Sequence, residues 1–340
     1  MRCVLIKMQK LTHVEGTALT DHVIKMLFQS RIITILDFLQ EDVEKLSNIC
    51  KLSIPQILEA RNRILTKFSA PVINGSCFID KIRKGTISIK SGVKNLDNML
   101  NRGIPAKTIT ELCGIAGSGK TQLALQIAIN CAKETHKTVL YIDTKGDFSA
   151  LRIQKILEKC QYSFKEVAAI MSRIHISYIW TMEELVNLFK NLKNGELVID
   201  NLVLLVIDSL PSLMFQYLGE DNKLGLSLLN SFVNYSRFIC KQLNIGIICI
   251  NMQTRWVDQD LTDVEDEENS TAYKDSFTEK RYRCLGRYWQ HIPTLVLELE
   301  KIKENDNENN SGIKITVLHS IDSDYENRHC ILCVGESGVT

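Results

Sequence analysis

The sequence predicts an α/β fold, a mainly parallel sheet flanked by helices and preceded by a small all-α bundle. Three observations predict it. Residues 1–68 carry apolar positions at helical spacing. From about residue 86, short apolar or β-branched runs alternate with amphipathic stretches, the pattern of a sheet buried under helices on both faces. Between them, 69–75 brings together Pro71, Asn74 and Gly75, which punctuate the chain rather than continue a helix. The expected organisation is a helical N-terminal domain over 1–68, a linker over 69–85 and the sheet-bearing core over 86–340.

In the helical part, Thr20 or Asp21 caps a helix whose one face holds Val23, Ile24, Leu27 and Phe28. A second helical run carries Ile32, Ile33, Ile35, Leu36 and Leu39. A third opens at Ser53 with Pro55 in its first turn and presents Ile54, Ile57, Leu58, Ile64, Leu65 and Phe68. Lys and Arg modestly outnumber Asp and Glu here, so the bundle should carry a mildly basic face. In the core, strands are expected at 108–113, 138–143, 203–208 and 245–250, with helices over 121–135 and 223–243. The segments 294–302, 312–319 and 329–334 alternate in polarity and read as antiparallel strands. A polar tract at 304–311 joins the first two.

Bulk properties exclude more than they select. A net charge of +1 gives no global field for nucleic acid or membrane, so any basic surface must be local. No stretch approaches the roughly 18 consecutive apolar residues of a membrane span, and the opening residues lack the pattern of a signal peptide. The 11 cysteines are scattered singly, which suits reduced core cysteine better than a disulfide framework. Cys330 and Cys333 have the spacing of half a zinc site, but no second pair answers them, and they would face opposite sides of a strand.

One motif carries chemistry at every fixed position. Gly114, Ile115, Ala116, Gly117, Ser118, Gly119, Lys120 and Thr121 fit G-x-x-x-x-G-K-[ST], after a strand-like run and before an amphipathic helix. Such a loop turns backbone N–H groups toward phosphate oxygens, and the helix N-terminus adds its partial positive charge. Lys120 would reach the terminal phosphates of ATP, and the Thr121 hydroxyl would ligate magnesium. The apolar run 202–207 ends in Asp208, placed to act as the carboxylate on the magnesium side.

With these motifs in place the chain resembles the RecA superfamily, and within it the eukaryotic Rad recombinases and their paralogues, most of all the D-type branch. The resemblance runs through 91–100, 108–114, 139–144 and the Leu285-Gly-Arg-Tyr-Trp segment. It also takes in Lys67-Phe-Ser-Ala70 and Val72-Ile-Asn-Gly75. It implies a RecA-like P-loop ATPase core, ATP and magnesium as ligands, and nuclear work in homologous recombination. It further implies binding to single-stranded or branched DNA, within a hetero-oligomer of recombinase paralogue subunits. Phe68 and Ala70 would dock on a neighbouring subunit, unless Phe68 closes the bundle's own core.

Departures from the family pattern limit the expected chemistry. Active members place a glutamate after the second core strand to position the attacking water; here Lys145 stands there. A lysine ammonium is no general base, so ATP binding with slow or no hydrolysis is expected unless Asp143 or Asp147 substitutes. After Asn251 the expected polar residue is Met252, with Gln253 one place later, which on a strand reverses the face. The loop beyond carries seven acids within 258–268 and would repel phosphate. The next stretch interleaves Lys274, Lys280, Arg281, Arg283 and Arg287 with Tyr273, Phe277, Tyr282 and Tyr288. Cations for the backbone and rings for bases are the ingredients of single-strand binding. A charged loop packing its rings on the core is the equal alternative. Trp289 reads as structural.

Overall fold

The computed structural model describes residues 11, 18–68, 74–76, 88–101, 103–217, 222–257, 279–302, 311–320 and 325–340. Two units result, Met1–Lys84 and Gly85–Thr340.

The first unit contains α1 (Asp21–Gln29), α2 (Ile35–Gln40), α3 (Val43–Cys50) and α4 (Ile54–Phe68). Local chemistry sets the starts: Thr20 accepts from the Val23 N–H, Asp42 caps α3, and Thr34 with Asp37 forms a reciprocal capping box. That box moves the start of the second helix to Ile35, later than apolar spacing alone suggests. Ile32 and Ile33 belong instead to a turn that begins at Arg31 with positive φ; Ile32 points inward and Ile33 outward. The core is built from Leu27, Ile35, Phe38, Leu46, Ile57 and Ile64, among others. Leu58 and Leu65, expected on the buried face of α4, are 44% and 51% exposed. Arg61 from α4 donates to the carbonyls of Phe38 and Glu41 and closes the end of α2.

The second unit is organised by one nine-stranded sheet. Its strands are β3 (Ile109–Cys113), β4 (Thr138–Asp143), β5 (Ile174–Tyr178), β6 (Leu202–Asp208), β7 (Gly246–Ile250), β10 (Leu295–Lys301), β11 (Ser311–Ser320), β12 (His329–Gly335) and β13 (Gly338–Val339). Their order is β13-β12-β11-β10-β3-β7-β6-β4-β5. From β10 to β5 every neighbouring pair is parallel; β11, β12 and β13 extend the sheet antiparallel. A short pair, β1 (Ser88–Ile89) and β2 (Ile104–Pro105), flanks the helix α5 (Lys94–Met99).

Side-chain alternation explains why the sheet is covered on both faces. In β6, Leu204 and Val206 join a cluster with Leu123 and Ile127 of α6 (Lys120–Lys133) and with Ile153 of α7 (Ala150–Lys159). Val167 of α8 (Phe164–Met171) packs into the same layer. Leu205 and Ile207 face the other way, onto Leu185 and Phe189 of α9 (Met182–Asn194) and Phe232 of α11 (Asn222–Gln242). A short helix α10 (Leu210–Met214) follows β6 directly. Among the elements the sequence reading did not place are the edge strand β5 and a hairpin of β8 (Gln253–Val257) with β9 (Glu279–Arg283). Among the described residues, no helix is long and apolar enough to cross a membrane.

Candidate nucleotide site

The loop between β3 and α6 is built around glycine conformations. Gly117 and Gly119 have φ of 74° and 89°, in the left-handed region. A Cβ on Gly119 would lie 2.1 Å from Ile313 Cδ1, so the loop is backed by β11; any side chain there would be strained by the positive φ and would have to displace that methyl. Lys120 begins α6 and is nearly buried. Its ammonium donates to the carbonyls of Gly114 at 2.9 Å and Ile115 at 2.7 Å, and more weakly to Ser118 Oγ. Burial first, and then the neighbouring positive charge of Lys145, lower its pKa from the ordinary lysine value.

Sequence-distant residues converge on Asp208, which is almost fully buried. Thr121 Oγ1 donates to Asp208 Oδ2 at 2.7 Å, and the Tyr141 hydroxyl donates to the same oxygen at 2.9 Å. Burial, followed by the charge of Asp208, raises the Tyr141 phenol well above its usual pKa, so it remains a donor. The other oxygen, Oδ1, faces Lys145 Nζ at 3.0 Å; the same ammonium lies 3.9 Å from Asp147 Oδ2. The register of β4 and β6 pairs Asp143 with Asp208. Asp143, named above as a candidate substitute base, is occupied by the backbone of the following turn. Its carboxylate accepts the backbone N–H groups of Lys145, Gly146 and Phe148, and so shapes the turn that delivers Lys145.

The donor set fits the groups implied by such a loop. The glycine-rich turn and helix start suit phosphate, and Thr121 Oγ1 beside Asp208 offers hard oxygen to a magnesium ion. The remaining oxygen, Oδ1, is buried and accepts no hydrogen bond; Lys145 opposes a metal there only through its charge, 3.0 Å away.

A second polar cluster, missed by sequence reasoning, lies on β3, the strand that leads into the glycine-rich loop. Glu111 of β3 is fully buried. Its Oε1 accepts from Asn251 Nδ2 at 2.8 Å, and its Oε2 accepts from Trp289 Nε1 and Arg283 Nη1, both at 3.0 Å. Burial raises its pKa, with the charge of Arg283 as the main opposing influence. The signal was present: one charged residue inside an apolar strand needs partners. Trp289 is fully buried on α12 (Gly286–Gln290) and serves this cluster. Asn251 also donates to the Cys284 carbonyl. Gln253 touches the phosphate loop through its backbone, donating to the Gly114 carbonyl at 3.1 Å, while its side chain is held by Glu298.

The cations expected to meet nucleic acid do not form one set. Arg283 turns inward to Glu111 with its side chain 18% exposed, and Arg281 pairs with Glu300. Both have partners a linear reading of a charge run cannot supply. Arg287 is exposed on α12, near Tyr288, whose hydroxyl bonds Asn230. Lys280 lies on β9 opposite Trp256. Lys274, Tyr273, Phe277 and the acidic stretch 258–268 fall outside the described residues, as does Ala70. Cys330 is half-buried and Cys333 exposed, and burial pushes the Cys330 thiol up to about 11. Among the described residues no group of three or more His, Cys, Asp or Glu could hold a metal.

A parallel sheet whose phosphate loop joins β3 to α6, with a carboxylate at the end of β6 beneath it, defines a P-loop core of the RecA type. The chain belongs to the Rad51 family, whose model matches residues 82–269, more than half of it. It is 25% identical over 292 residues to a DNA repair protein RAD51 homolog 4 of Bos taurus, covering 84% of each chain. The mouse counterpart is 24% identical over 288 residues, 83% of this chain and 82% of that one. The DNA repair and recombination protein RadA of Aeropyrum pernix is 29% identical over 177 residues, 48% and 52% of the two chains.

Proposed function

We infer that this Rad51 paralogue is an ATP-binding mediator of homologous-recombination repair. It works in the nucleus on single-stranded or branched DNA, within a hetero-oligomer of recombinase paralogues. The relatives named for DNA repair and recombination support the biological role. The observation that carries the nucleotide part is the junction at 2.7 Å between Thr121, at the start of the P-loop helix, and Asp208. Gly114 to Lys120 hold the triphosphate, and Thr121 with Asp208 takes the magnesium side. Bound magnesium supplies charge neutralisation at the phosphate oxygens. Lys145 contributes no base, so turnover is weak and the nucleotide acts chiefly on conformation and assembly.

Filter binding of the full chain with its partners to a single-stranded oligonucleotide, at two salt concentrations and with or without ATP, tests the DNA part. Salt-sensitive retention that rises with ATP is the expected result; retention indifferent to both would sink it. Arg287, exposed on α12, is the cation we assign to phosphate. Arg287→Ala should lower the salt slope by about one.

A second reading, a nucleotide-stapled scaffold that only joins other subunits, is favoured by the internal pairing of Arg281 and Arg283. Lys120→Ala separates the two. If assembly persists while repair in cells is lost, scaffolding alone is insufficient.

A further inference from the structure

We propose that Lys145 is a built-in cation at the metal position, so that this protein binds ATP without needing a divalent ion. The inference rests on the nucleotide reading above and deepens it. In a P-loop site the carboxylate at the end of the strand holds a water of the magnesium ion, and the ion in turn neutralises phosphate oxygens. Here one oxygen of Asp208 is already fully engaged and the other faces a cation. A carboxylate oxygen offers about two lone pairs. Oδ2 receives Thr121 Oγ1 at 2.7 Å and the Tyr141 hydroxyl at 2.9 Å. Oδ1 receives no hydrogen bond and has the Lys145 ammonium 3.0 Å away as its ion-pair partner.

A magnesium-bound water on Oδ1 would therefore lie beside this positive charge, and the ion itself would stand close to it. The ammonium, by contrast, already stands beside the hydroxyl that a phosphate-bound metal would use, on the same carboxylate. It is delivered there by design of the turn, because Asp143 accepts the N–H groups of Lys145 and Gly146 at 3.0 Å. Its side chain remains 35% exposed, so the head can turn from Asp208 toward an arriving phosphate oxygen. Lysine binds phosphate as a compact point charge with three donors, which suits this position.

The test is equilibrium binding of a fluorescent ATP analogue to the full chain, in magnesium and in EDTA. The unmodified protein should bind with affinities that agree within about threefold in the two buffers. Lys145→Ala should bind in magnesium but lose more than about tenfold in EDTA, and Lys145→Arg, which keeps the charge, should behave as the parent. A purely structural lysine would change stability in both buffers without creating a dependence on the metal. Binding that requires magnesium in the unmodified protein would overturn the proposal while leaving the nucleotide reading intact. Binding in neither buffer would overturn both.

Discussion

Asp208 and Glu111 are two buried carboxylates on parallel strands of the same sheet, and each receives three side-chain partners, one of them cationic. Glu111 is served by Asn251, Trp289 and Arg283; Asp208 by Thr121, Tyr141 and Lys145. The difference lies in who supplies the cation. Arg283 comes from the hairpin and is drawn inward, its planar fork holding a fixed geometry. Lys145 comes from a turn beside the phosphate loop and keeps a third of its side chain in solvent. The same polar inventory therefore makes a clasp in one place and a solvent-facing contact in the other. Access to water, more than composition, separates structure from function here.

The contrast can be broken from either side. The largest effect is expected at the open site: Lys145→Glu should raise ATP turnover in magnesium by a factor on the order of 10²–10⁴, the usual worth of a positioned base. Steady-state hydrolysis with and without single-stranded DNA measures it, and unchanged turnover would separate Lys145 from the slow chemistry. At the closed site, Glu111→Ala leaves Arg283 with an uncompensated charge and should cost about 3–5 kcal/mol of stability by urea denaturation. Nucleotide affinity should change far less. Trp289→Phe removes one donor from Glu111 and replaces the buried indole with a smaller ring, for a loss of at least about 1–3 kcal/mol.

The smallest effect is a pH dependence. Because burial raises the folded pKa of Glu111 above its ordinary value of 4.5, the folded state holds its proton longer than the unfolded chain. Its contribution is therefore fully present below 4.5 and is lost as pH rises through the raised folded value. Denaturation midpoints followed upward from acid pH should decline more steeply in the parent than in Glu111→Gln. Parallel slopes would remove Glu111 as the source.

Local patterns made the strands, the phosphate loop and the caps of this chain readable, because each is written within a few consecutive residues. The sheet strands at 138–143 and 245–250 needed only their apolar runs and bounding turns. Partners across the chain were not readable. Arg283 lies 172 positions from Glu111, and Tyr141 lies 67 from Asp208, separations that no periodicity reports. The β8–β9 hairpin was hidden for a related reason: its strands are polar, and the long stretch 258–278 replaces the short turn that marks a hairpin. Lys145 was legible as a missing base, yet its ion pair with Asp208 depended on the register that sets Asp143 beside Asp208. Arg281 and Arg283 were read with their neighbours as one charge run, but both are committed to carboxylates of other strands.

The Lys120 ammonium, satisfied by the carbonyls of Gly114 and Ile115, has a kinetic meaning. A phosphate arriving at this loop does not drop into a waiting bond; it displaces two acceptors that already hold the charge. Ile313 closes the loop from behind at Gly119, so the exchange proceeds outward, with the lysine leaving one pair of oxygens as it takes another. Under the proposed function, nucleotide capture would thus be a ligand substitution. Release, running the same exchange backward, always has a partner ready to take the ammonium back.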